Sequence, residues 1–501
     1  MYNNKNVKMK SKKGLALLII VLAFACKENQ KEDNSNIQLL EDNKIENLNS
    51  ENKQLVISRD HLETLMSKTT DKFPSYNPNY PPPSGAKEVF QLSQDYPKTF
   101  TPETYPWLAH DFKTKPNDYI KAVLNYCLEG NIEVDFKGQS NQVRKWYHAP
   151  WMHDDGNPIG NGREYIHGLT RERGTPKFEI HDKQDVRLEN WAVGMYSAPG
   201  GFTIGNVWSS PDVNPDPTKA QFPEGTVTFK LLFTDGAVDK VPFLDGSLQW
   251  QANIYECGSN SCKQKGRINR TVSLLQIDVA VKDKRALKTG WVFGTFMYDA
   301  SASGNTVWEK MVPVGLSWGD DANVKSDLNK DGAFVNKDLK ETYLNPNLIE
   351  DKTKTYTNQA YVKYHGLGGR LNGPVDNPIS SCISCHGQGG VNNQGRVLPM
   401  ANFRLTRQTF TDAEFDKYFA NVKGGAYVRN FGGTDYNTTD YSLQLSAGIR
   451  NYYQNELFKS SISSSVLFSN TEIDTFSLQK VNELKNVILK LPEVSRGESE
   501  E

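Results

Sequence analysis

Cys382, Cys385 and His386 stand in the run Cys-Ile-Ser-Cys-His, and their types and spacing suit one specific piece of chemistry. Two thiols three residues apart lie about one helical turn from each other, and the imidazole that follows joins them on the same helical face. Thiols so placed can each add to a vinyl group of one porphyrin, with the imidazole then held beneath the iron, which is the attachment pattern of a c-type haem. With 6 Cys and 8 His in 501 residues, chance produces this pattern on the order of once in a thousand chains of the same composition. A redox-active dithiol needs no histidine after its second cysteine, and a zinc site would need a further ligand that the segment does not offer. One covalent haem c is therefore the expected cofactor, with Cys382 and Cys385 as attachment points and His386 as the proximal iron ligand.

The motif resembles that of the c-type cytochrome family, over roughly residues 346 to 460. The stretch Arg370-Leu371-Asn372-Gly373-Pro374-Val375-Asp376-Asn377-Pro378 resembles segments that precede it in uncharacterised bacterial cytochrome c-like proteins. The resemblance implies a small, mainly α-helical haem domain and a downstream Met as second axial ligand. Met400 is the only methionine after His386 and is the candidate distal ligand; a core-filling role for Met400, or ligation by His365 instead, are the alternatives. Thioether sulfur is a soft ligand, and His/Met ligation raises the reduction potential. Arg370 is a candidate partner for a haem propionate, or else a solvated loop residue.

The elements that must position these residues differ along the chain. Thr226 to Phe233, Ser273 to Val281 and Trp291 to Tyr298 are rich in β-branched and aromatic residues and bounded by turn signals, so they read as strands. Ser197 to Pro211, with Trp208 near its end, reads as a long loop suited to binding. After residue 346 the pattern turns helical: Thr411 to Ala420 has a capping residue, early acids and apolar helical spacing, and Gln479 to Leu491 has a second apolar stripe. Residues 55 to 69 read as a short helix, ahead of a proline-rich stretch from Pro74 to Pro83. The expected organisation is multidomain: a β-sandwich-like N-terminal domain over 86–345, then a mainly α-helical, cytochrome c-like C-terminal domain over 346–470, and a C-terminal helix and tail over 471–501.

Lysines 5, 8, 10, 12 and 13 precede an apolar run from Leu15 to Ala25 that is too short to span a bilayer, so residues 1–25 read as an export signal. The ending Leu22-Ala23-Phe24-Ala25-Cys26 resembles the bacterial lipoprotein signal, which implies lipidation of Cys26 and anchoring of the chain to a membrane from outside the cytoplasm. Anchoring at the outer membrane is the expectation, on its periplasmic or cell-surface side. Residues 26–85 then form a polar tether and proline-rich linker.

Weaker constellations remain. His148 to Asp155, followed by Arg163-Glu164-Tyr165-Ile166-His167 and Arg171-Glu172-Arg173, is the densest polar cluster of the β-rich domain and reads as a metal or acid–base site, a loop touching the haem edge or the other domain, or plain polar surface. Asp327-Leu328-Asn329-Lys330-Asp331-Gly332, with Asp338 at the twelfth place, resembles a calcium loop or is a plain turn. Cys257 and Cys262 are placed to form a disulfide, which leaves Cys127 as a buried thiol. The 58 Lys+Arg and 59 Asp+Glu nearly balance, with no basic block in the body of the chain, so no nucleic-acid partner is expected. The leading reading is a membrane-anchored monohaem cytochrome passing electrons to an unidentified redox partner protein. The alternatives are a haem-dependent oxidoreductase acting on a substrate held by the β-rich domain, and a surface glycan-binding lipoprotein.

Overall fold

The computed structural model describes residues 56–58, 73, 89–152, 163–209, 213–258, 262, 266–325, 336–349, 366–398, 411–468 and 475–477. Cys26, His365 and Met400 lie outside the described residues, as do the export signal, most of the tether, His153 to Asp155, the segment from Asp327 to Gly332 and the stripe from Gln479 to Leu491. Among the described residues no helix is long and apolar enough to cross a membrane.

The strands are β1 (Val56–Ser58), β2 (Thr170–Arg171), β3 (Asn190–Tyr196), β4 (Val227–Thr234), β5 (Gln249–Ile254), β6 (Ile268–Lys282), β7 (Trp291–Tyr298), β8 (Met311–Ser317), β9 (Thr342–Leu344), β10 (Gly390–Val391), β11 (Val428–Phe431), β12 (Thr434–Thr438) and β13 (Thr475–Ser477). The helices are α1 (Pro116–Leu128), α2 (Ala198–Val207), α3 (Pro346–Ile349), α4 (Cys382–His386), α5 (Asp412–Tyr418) and α6 (Leu443–Phe468). Residues 56–58 are strand rather than helix and pair antiparallel with β13.

One eight-stranded antiparallel sheet, in the order β2-β3-β4-β6-β7-β8-β9 with β5 also paired to β6, organises the chain. Both faces of its central strands are covered: every residue of β3 and of β7 is buried, which is why these strands read as unbroken apolar runs rather than alternating ones. Phe229, Leu231, Ile277 and Val279 pack on one side in a core with Ile120, Val123 and Leu124 of α1. Ala280, Trp291, Phe293 and Val314 belong to a second core with Leu371, Ile383, Leu445 and Ile449.

The fold-class expectation is corrected on both counts. A single sheet between two covering layers replaces the sandwich, and among the described residues after 346 there is no mainly α-helical domain. Its described part holds the short helices α4 and α5, the longer α6 and a three-stranded sheet in the order β10-β12-β11. The physical reason lies in Trp291, Phe293 and Ala280, whose apolar surface needs cover. The Gly-, Asn- and Pro-rich segment from 366 to 398 is too poor in helical periodicity to build a core of its own, so it lies down on the sheet.

The stretch read as a loop after Ser197 is mostly helix α2, with a proline in its first turn. Gly201 permits this packing, since a Cβ there would stand 2.5 Å from Tyr147 Cδ2. Trp208 is buried, edge-on to Tyr452. Thr411 and Glu414 form the capping box that starts α5, and Cys257 is disulfide-bonded to Cys262.

Candidate functional site

Helix α4 is the Cys-Ile-Ser-Cys-His segment itself. Ser381 caps it: its Oγ accepts from Ser384 N at 2.9 Å, while Ser384 Oγ accepts from Ser381 N at 2.8 Å. Ile383 and Ser384 turn into the protein and are fully buried. That leaves Cys382, Cys385 and His386, at i, i+3 and i+4, on the opposite face, where all three line a cavity of about 250 Å³. Sequence spacing alone anticipates this shared face.

The other walls come from far along the chain. Thr228 and Lys230 of β4, Asp278 and Ala280 of β6 and Phe293 of β7 form the sheet side, and Gln444 and Arg450 of α6 close another. Gly194 of β3 lets the Gln444 side chain close down on the sheet, because a Cβ there would lie 2.3 Å from Gln444 Nε2. Phe293 packs against His386 with ring centroids 4.9 Å apart.

Both motif cysteines are free thiols. Burial, reinforced by the carboxylates of Asp376 and Asp278, holds the Cys382 thiol well above its ordinary range. Burial and Asp376 push Cys385 up to about 12. His386 Nδ1 lies 2.9 Å from the backbone carbonyl of Tyr441. A carbonyl can only accept, so Nδ1 carries the proton and Nε2 keeps its lone pair free for a metal. Burial lowers the His386 pKa to about 4, with the Tyr441 carbonyl opposing, so the imidazole is neutral at physiological pH. The residues present thus fit a covalently held haem: two unoxidised thiols one turn apart and a neutral imidazole of fixed tautomer, all three lining one largely apolar cavity. Among the described residues no group of three or more His, Cys, Asp and Glu could hold a bare metal ion.

The turn that supplies the Tyr441 carbonyl is strained. Asp440 and Tyr441 have φ of 46° and 68°, two successive non-glycine residues in the left-handed region, a conformation costing on the order of 1–3 kcal/mol each. Such strain persists only where surrounding bonds over-determine it.

Beside the thiols lies a charged cluster absent from the sequence reading. Lys230 Nζ meets Asp278 Oδ2 at 2.9 Å; Gln276 Nε2 donates to Asp278 and, at 3.0 Å, to Asp376. Desolvation opposes charge on Lys230, but the carboxylates around it win and hold its pKa well above the ordinary lysine value. The signal was present: a lysine inside Val-Thr-Phe-Lys-Leu-Leu-Phe and an aspartate inside Leu-Leu-Gln-Ile-Asp-Val-Ala-Val are opposite charges within two strongly apolar strands, as a partly buried pair requires.

Arg370 is fully buried but does not line the cavity. Its guanidinium donates to the carbonyls of Asp320 at 2.7 Å, Leu367 at 3.1 Å, Asp321 at 3.2 Å and Val324 at 2.8 Å. It also lies against the Phe415 and Phe419 rings. It ties the 320–324 loop behind α4. In the cluster around His148, the imidazole accepts from Ser93 N, Arg163 donates to the Ala149 and Gly168 carbonyls, and Glu164 accepts from backbone amides. These are loop-fastening bonds; Met152, from the same stretch, reaches the cavity wall. Asp338 N bonds to Asn336 Oδ1 in a local turn.

Asp320 accepts from Ser381 Oγ through one oxygen. Burial raises its pKa to about 8, against the lowering effect of Ser381 and Arg370. The folded chain therefore keeps a proton that the unfolded chain loses above about pH 4. Asp320 contributes stability in full below that pH, and the contribution fades as pH rises to about 8, at about 1.4 kcal/mol per unit. Asp320→Asn should become increasingly stable relative to wild type as pH rises from 5 to 8. Urea midpoints of the two chains at those pH values check this, and a constant difference would refute it.

Comparison with protein-family models, with curated proteins and with solved structures finds no match to this chain.

Proposed function

We propose that this chain is an exported c-type haem protein, a monohaem cytochrome in which Cys382 and Cys385 bind the porphyrin through thioethers and His386 Nε2 is the proximal iron ligand. The observation that carries the reading is the fixed tautomer of His386, whose Nδ1–H is spent on the Tyr441 carbonyl while Nε2 and both thiols share one cavity. In thioether formation each S–H adds across a vinyl C=C, the sulfur to one carbon and the hydrogen to the other, so attachment is redox-neutral. When bound, the haem supplies a one-electron couple. The chain's own residues orient it, Phe293 and Ala280 exclude water, and Ser381 fixes the helix carrying the three attachment atoms. Export and membrane attachment through Cys26 are supported by the amino-terminal sequence, and an outer-membrane position and a redox partner protein belong to the same proposal.

A second reading, a haem oxidoreductase, is favoured by Lys230, Asp278 and Asp376, acid–base groups in the wall of the same cavity. The test for both is chain isolated from a host that makes cytochromes c. A mass increase of one haem that survives denaturation, with α-band absorption on reduction, is the expected result; a colourless chain of unmodified mass would overturn it. A low-spin iron indifferent to cyanide and peroxide supports electron transfer, and a high-spin iron that binds them supports the oxidoreductase.

A further inference from the structure

Asp440 is a buried carboxylate on which three separate parts of the chain converge. Its Oδ1 accepts from Lys282 Nζ at 2.6 Å, from Trp291 Nε1 at 2.8 Å and from Gly425 N at 2.7 Å. Its Oδ2 accepts from Phe222 N at 2.8 Å and from Lys282 Nζ at 2.9 Å. Lys282 ends β6 and Trp291 begins β7, so the carboxylate pins the turn after β12 to the ends of two central strands of the large sheet. The turn is the strained one, and its next carbonyl is the one His386 uses.

We propose that Asp440 is a positioning residue for His386: it holds residues 440 and 441 in the left-handed conformation that aims the Tyr441 carbonyl at Nδ1. Its consequence for iron rests on the haem reading above, whereas the tautomer it enforces is a property of the chain itself. Other bonds flank the same turn. Thr439 N donates to Gly389 O at 3.1 Å, and Tyr441 Oη donates to Val422 O at 2.6 Å. Ser442 N closes the turn on Thr439 O at 2.8 Å, and Ser442 Oγ meets Tyr196 Oη of β3 at 2.8 Å. These hold the ends of the turn and the Tyr441 ring; the Asp440 carboxylate ties the first of its two left-handed residues to β6 and β7. Without it, relief of the two positive φ angles rotates the carbonyl away from the imidazole. An Nδ1–H that donates to a carbonyl makes Nε2 a stronger donor and favours ferric iron. Losing that bond therefore raises the reduction potential.

Asp440→Asn alone would also leave the Lys282 charge unpaired, and a bare cation raises the potential by itself. The test is therefore the charge-balanced pair Asp440→Asn with Lys282→Met, beside Trp291→Phe, which removes one donor and no charge. Both haem-loaded variants should keep the covalent adduct and show a raised midpoint potential, with the larger shift in the double variant. In the haem-free, 15N-labelled chain, His386 should be the Nδ1–H tautomer in wild type, and in the double variant its ring proton should exchange with water at least about tenfold faster. Wild-type potential and exchange in the double variant would overturn the assignment. A wild-type chain without haem would remove the proposed function, and the exchange measurement would still decide the role of Asp440.

Discussion

Cys382→Ser with Cys385→Ser yields a chain whose mass carries no haem and whose colour is lost on denaturation and gel filtration. A serine hydroxyl does not add to a vinyl group under conditions where a thiol does, so neither covalent link forms. Each single variant keeps one thioether and should retain haem through denaturation at reduced yield. His386→Ala, with both thiols intact, should separate attachment from ligation: an adduct of normal mass whose iron has lost its proximal nitrogen and binds added imidazole. Mass spectrometry and the reduced spectrum read all of these. A double serine variant that still carries a covalent porphyrin would remove the two thiols from the site. The variants should fold, since both thiols face the cavity and the helix is anchored through Ile383 and the Ser381 cap.

Arg370→Ala should be the most destabilising single substitution around the site. It withdraws donors from four backbone carbonyls; those of Asp321 and Leu367 keep a backbone donor, and the loss at Asp320 and Val324 costs about 1–3 kcal/mol each, less than additively. It also strips the guanidinium that packs against the Phe415 and Phe419 rings. A loss on the order of 4–5 kcal/mol is expected, enough to unfold much of a chain of ordinary stability. Arg370→Lys should recover little of it, because an ammonium lacks the planar fork that reaches separate carbonyls. Lys145→Ala, which breaks the exposed pair with Asp95, is the control and should cost no more than about 1 kcal/mol. Denaturant unfolding of the haem-free chains measures these values. An Arg370→Ala chain as stable as wild type would show that the carbonyl bonds are not what holds the 320–324 loop.

How far the sequence could be read depends on how local each feature is. The capping box of α5 and the helical face shared by Cys382, Cys385 and His386 are set by residues three or four apart, so spacing determines them. The strands β4, β6 and β7 were legible from β-branched and aromatic runs, and the disulfide between Cys257 and Cys262 from a separation of 5. Arg370 was not legible, because its partners lie 46 to 50 residues away as well as three, and nothing in its neighbours distinguishes a buried fork from a solvated one.

The sequence by itself determined that two thiols and an imidazole stand on one side of a short helix, and that strongly apolar strands precede them. Only the tertiary structure decided that the helix lies on the sheet rather than in a helical domain of its own. It also decided that Lys230 and Asp278 face the thiols and that a carbonyl 55 residues beyond His386 sets its tautomer. The physical reason is that helix and strand patterns are written by neighbours in the chain. Which surfaces cover one another follows instead from the apolar area each leaves exposed, a property of the whole fold.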